Sequence, residues 1–135
     1  MQGEVIADFV LRVAAAAFVA LVLGLVWYAP FGFGDAWLEA TGRQRERLGG
    51  ARGPMAGSFV ALVVSAVALG ILIRVAGVAT AGAGAWLGLL AGVLVGAGML
   101  SDYLFCAWPL SLFAIQVGYR VAYLVLIGVV FAVWR

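Results

Sequence analysis

Four stretches of this chain, roughly 8–28, 54–74, 81–105 and 109–133, are each long and apolar enough to cross the hydrocarbon core of a bilayer as helix, which takes about 20 residues. In lipid every backbone N–H and C=O must be satisfied within the protein, so such segments have little choice but to be helical. Water is excluded as the solvent by composition. Of 135 residues, 67% are hydrophobic and 10% charged, and a soluble domain of this size leaves about a third of its unfolded surface wet. The expected fold is an all-α membrane protein: one transmembrane domain over 1–135, with four helices in a compact bundle. A short interfacial helix is expected within the loop 30–53, between the first two.

Four crossings place both termini on one side, here side B; the first and third loops lie on side A. The first segment is expected to be retained rather than cleaved as a leader. Its leading residues Glu4 and Asp8 are acidic where a leader is basic, and it runs into Trp27-Tyr28-Ala29-Pro30 without a small-x-small site. Gly53-Pro54 opens the second helix, Thr80 caps the third, and Pro109 suits a first helical turn, where a missing N–H is tolerated. In the long loop, Asp35 is placed to cap a short helix carrying Trp37, Leu38 and Leu48 along the interface.

Orientation is read from arginines near the helix ends. Side A has Arg43, Arg45, Arg47 and Arg52; side B has Arg12, Arg74 and Arg135. The excess assigns side A to the cytoplasm and both termini to the outside, periplasmic in a bacterial inner (cytoplasmic) membrane. Trp27, Tyr28, Trp37 and Trp108 are the expected interface anchors of side A, and Trp86 and Trp134 mark side B.

Close packing is expected through small residues, because lipid supplies no hydrophobic drive between helices. In the third helix Gly84, Gly88, Gly92 and Gly96 recur every four residues, the pattern of a glycine zipper. Shorter stripes run through Ala16, Ala20 and Gly24, through Gly57, Ala61 and Ser65, and through Ala114, Gly118 and Ala122. Each serves packing within the bundle, dimerisation with a second chain or the lining of a pore. The fourth helix adds a polar face, Gln116, Arg120 and Tyr123, at i, i+4, i+7 and roughly opposite its small-residue stripe. A helix with two faces unsuited to lipid is either central or covered by another subunit.

Arg120 is the most informative residue. It lies about 11 residues, roughly 16 Å, inside its segment, where an unpaired charge costs at least ~2.5 kcal/mol. Asp102, roughly 10 Å shallower by helix rise, is its best partner within the chain. Three alternatives stay open for Arg120, Asp102, Gln116 and Tyr123: a structural ion pair, a site for an ion or substrate, and contacts to a partner subunit. Other ionisable residues read as snorkelling or topology signals, and Cys106 as a small apolar residue.

With no histidine, one cysteine and no converging acid, base or nucleophile, the expectation is no enzyme and no metal or organic cofactor. A net charge of +2 is too small to imply nucleic acid. The expected partners are the lipid bilayer, a second copy, or other membrane subunits. The leading reading is a non-enzymatic homo-oligomer or accessory subunit of a larger membrane complex. The alternative is a small channel or carrier for an anion or polar solute, and a hydrated cavity reaching Arg120 is what would favour it. A pigment- or lipid-contacting spacer is a third reading without a positive residue signal.

Gly24-Leu25-Val26-Trp27-Tyr28-Ala29-Pro30, continuing through Phe33-Gly34 to Trp37, resembles the signature of an uncharacterised bacterial family of small four-helix membrane proteins, a domain of unknown function. Trp86-Leu87-Gly88, Pro109-Leu110, Leu112-Phe113 and Gly118-Tyr119 resemble its later motifs. The resemblance implies fold and size, and carries no activity, substrate or cofactor. Gln116 and Arg120 are less typical of that family, so the resemblance leaves their role particular to this chain.

Overall fold

The computed structural model describes residues 1–50 and 52–134. Five α-helices follow one another: α1 (Gln2–Trp27), α2 (Gly34–Thr41), α3 (Arg52–Val75), α4 (Ala81–Phe105) and α5 (Leu110–Val133), with one 3-10 turn at Arg45–Arg47 before α3. Four of them, α1, α3, α4 and α5, are long and apolar enough to span a membrane. In the most apolar window of each, no more than 28% of residues are buried inside the protein. Large apolar side chains of α1, α3 and α4, among them Phe18, Leu25, Val60, Val64, Trp86 and Leu94, are exposed, a surface suited to lipid.

Helix ends follow local chemistry. α1 starts earlier than hydropathy suggests. Glu4 in the first turn favours a helix N-terminus, and Asp8 holds Arg12 one turn on at 2.7 Å. The Thr80 hydroxyl caps α4 by accepting from the Ala83 N–H at 3.3 Å. α3 closes through Gly77 in the left-handed region, with the Val78 N–H returning to the Ile73 carbonyl at 3.1 Å. Pro109 stands one residue before α5, as its N-cap.

Asp35 does not cap α2. Phe33 occupies the N-cap, and Asp35 lies inside the helix with its carboxylate 2.9 Å from the Arg45 guanidinium. Leu48 follows the 3-10 turn instead of sharing α2 with Trp37 and Leu38, because the left-handed Gly42 ends that helix first.

α5 is the central element, touching all four other helices. Its closest partner is α4, and the stripe Gly84, Gly88, Gly92, Gly96 makes that closeness feasible. A Cβ on Gly84 would strike the Gly128 carbonyl, one on Gly88 the Leu124 backbone, one on Gly92 Val121 at 2.9 Å and one on Gly96 Val117 at 2.8 Å. α4 is therefore bound through backbone contact to a partner in its own chain.

On the other side of α5, α1 contributes Ala16 and Ala20, both fully buried, and α3 contributes Leu62, Ala66, Leu69 and Ile73. The α3 stripe Gly57, Ala61, Ser65 is not the packing face: Gly57 and Ala61 are exposed, and a Cβ on Gly57 would meet nothing. Larger apolar residues on a neighbouring face bury more area against Ile127 and Phe131, and that decides the rotation of α3.

Candidate functional site

Below α2 and the 3-10 turn, the side A ends of α1 and α3 separate around α5 and leave a cavity of about 590 Å³. Four residues of α5 line it, Gln116, Tyr119, Arg120 and Tyr123, which share one face by helical spacing. α1 supplies Leu21, Gly24 and Leu25, with Tyr28 just past its end, and α3 supplies Pro54, Met55, Ser58, Ala61 and Leu62. Gly34, Trp37 and Leu38 of α2, with Arg45 and Leu48 beyond it, close the side A end.

Arg120 lies roughly 15 Å along α5 from Leu110, inside a helix of 24 residues that is about 36 Å long. One guanidinium Nη1–H donates to the Gln116 carbonyl of its own helix at 3.0 Å. No carboxylate of the described residues pairs with it; their ion pairs are Met1 with Glu4, Arg12 with Asp8, and Arg45 with Asp35. The Asp102–Arg120 pair is therefore not formed. Asp102 is exposed on α4, outside the cavity wall.

Helix register explains the miss. Two turns beyond Gly96, the α4 residue turned towards α5 is Tyr103, and Asp102 is about 100° away from it around the axis. Tyr103 is buried and its hydroxyl donates to Gln116 Oε1 at 2.6 Å. That bond occupies the amide oxygen and leaves the Gln116 NH2 as a donor. Of the expected polar set, Gln116, Arg120 and Tyr123 come together, and Asp102 does not join them.

Tyr119 and Tyr103 were not anticipated as site residues. Tyr119 packs edge-on between Tyr28 and Tyr123, with ring centroids 5.5 and 5.0 Å away. Its hydroxyl donates to the Ala20 carbonyl at 2.9 Å, next to Gly24, where a Cβ would lie 2.7 Å from that oxygen. The available signals were spacing: Tyr119 follows Gln116 by one turn, and Tyr103 continues the glycine stripe. The hydroxyls of Tyr28 and Tyr123 make no hydrogen bond to the described residues. Burial pushes the Tyr28 phenol above its ordinary value of 10.0, and Arg120 pulls in the opposite direction.

Among the aromatic anchors, Trp27 turns inward. Its indole N–H donates to the Ile115 carbonyl at 3.1 Å and its ring covers Gly118. Trp37 meets Tyr28 edge-on at 6.2 Å with Arg43 over its other side, and Trp108 is half-exposed against Tyr103. A smaller hollow of about 330 Å³ at side B gathers Glu4, Asp8, Phe9, Arg12 and Arg74. There the two arginines do not simply snorkel apart: Arg74 stacks over Phe9 at 5.7 Å and Arg12 is held by Asp8.

No curated protein and no solved structure matches the chain. A family model does match, over residues 11–132, running from α1 almost to the end of α5. It is described as a protein of unknown function, DUF1761, and this four-span protein belongs to that family.

Proposed function

We propose that this protein is a non-enzymatic membrane protein that takes up an anion or polar solute in the side A cavity and acts as a small carrier or channel for it. The observation that carries the reading is a cavity reaching a guanidinium deep in α5 that lacks a carboxylate partner among the described residues. A charge at that depth costs at least ~2.5 kcal/mol, and an anion entering the cavity offsets that cost as an internal ion pair would have done. With side A cytoplasmic and the termini outside, the solute is reached from the cytoplasm.

The test is anion binding and flux in proteoliposomes, comparing wild type with Arg120→Gln. The expected result is solute binding that Arg120→Gln abolishes; flux and binding indifferent to that substitution refute the reading. Self-association, or docking onto other membrane subunits, is the second reading, supported by the exposed Gly57 of α3. The α4 glycines offer it less, because α5 already covers them. Intact-complex mass in nanodiscs separates the two: a monomer without co-purifying chains removes the second.

A further inference from the structure

The cavity's polar groups do not merely tolerate an anion; their number and placement restrict which one. Among the described residues, two charged side chains line it, Arg45 and Arg120, and no acid does. Arg45, half-exposed, is already paired with Asp35 at 2.9 Å. One positive charge is left, on Arg120, so a monovalent anion balances the site and a divalent one leaves a buried charge uncompensated.

The groups still on offer can all donate. Arg120 spends one N–H on the Gln116 carbonyl, and a guanidinium carries five in a fork that matches a carboxylate. The Gln116 amide, its oxygen held by Tyr103, presents its NH2. The Tyr28 and Tyr123 hydroxyls have no partner among the described residues and also line the cavity.

Apart from the Ser58 hydroxyl the remaining wall is apolar, with Leu21, Leu25, Leu62, Met55 and Trp37 around the space between Arg120 and the α2 cover. Chloride or a free phosphate would fill little of about 590 Å³ and leave the apolar wall wet. That volume lies within the ~300–1,000 Å³ range of sites for small organic molecules. Resting on the reading of this cavity as a solute site, we infer that its ligand is an organic monoanion: a carboxylate held by Arg120, Gln116 and the tyrosine hydroxyls, on an apolar body packed beneath α2.

The experiment uses the full chain in nanodiscs of zwitterionic lipid, with empty nanodiscs as the blank for partitioning. Labelled octanoate is titrated, and acetate, 1-octanol, chloride and inorganic phosphate compete. Octanoate is expected to bind saturably, with each competitor weaker by about tenfold or more, since tenfold corresponds to the loss of one good interaction. Arg120→Gln lowers octanoate affinity by about tenfold or more, and Arg120→Lys keeps part of it. Ala61→Phe keeps the charge but fills apolar space and also weakens octanoate, so the inference remains testable if Arg120→Gln fails to fold.

Chloride or phosphate binding as well as octanoate, and only with Arg120 present, overturns this inference and leaves the anion-site reading standing. Equal binding of 1-octanol, or octanoate binding indifferent to Ala61→Phe, also overturns it. Saturable binding of none of these anions overturns both.

Discussion

Replacing Gly88 by alanine puts a methyl group where the backbone of α5 already lies. The new Cβ would sit 2.7 Å from the Leu124 carbonyl carbon and 2.8 Å from Val125 Cα, where ordinary contact begins at 3.4 Å. The Leu124 carbonyl oxygen is closer still, and none of these atoms is the end of a flexible side chain, so α4 and α5 must part by about 1 Å at that level. A gap of that order forfeits roughly a quarter to a half of the dispersion contact across it, and overpacking of this kind costs about 1–3 kcal/mol. Alanine returns about 0.5–1 kcal/mol as the better helix former.

Gly98, in the same helix, isolates that second effect, because a Cβ there meets nothing within 4 Å. Gly98→Ala is therefore expected to stabilise by about 0.5–1 kcal/mol while Gly88→Ala destabilises, the two differing by the overpacking itself, about 1–3 kcal/mol. Adding Gly84→Ala to Gly88→Ala costs less than its single value, because one displacement of α4 relieves both clashes. The assay is reversible unfolding in mixed micelles with increasing SDS. Equal effects of Gly88→Ala and Gly98→Ala would refute the assignment of the stripe to α5.

Trp27→Phe keeps an aromatic ring but removes the donor to the Ile115 carbonyl, and should lower stability by about 0.5–1.5 kcal/mol in the same titration; no change would mean the bond is replaced by water or lipid headgroups. Tyr103→Phe removes a 2.6 Å bond and frees the Gln116 amide to rotate. It should cost about 0.5–1.5 kcal/mol and weaken octanoate binding, and unchanged octanoate affinity would show that Gln116 takes no part. Ala107 is the one non-glycine residue with positive φ, at 52°, among the described residues. Ala107→Gly is expected to stabilise by roughly 0.5–1 kcal/mol by relieving left-handed strain, and a lower unfolding midpoint would refute it.

What the sequence determined by itself is whatever depends on neighbours along the chain. The spans follow from the length of each apolar run, and the starts of α4 and α5 from Thr80 and Pro109, because capping acts within one turn. The polar face of Gln116, Arg120 and Tyr123 was legible for the same reason: helix geometry alone brings those residues together. Tertiary structure alone decided what each face meets. It pressed the α4 glycines onto α5, rotated α3 to bury Leu62 and Leu69 rather than Gly57, and turned Tyr103 inward where Asp102 had been expected. A rotation of one residue, about 100°, exchanges an ion pair for a phenol hydrogen bond, and hydropathy is nearly blind to it when every face of a span is apolar. The cavity is the sum of such rotations. Its site was half written along α5, and the other half came from how α1, α2 and α3 are set around it.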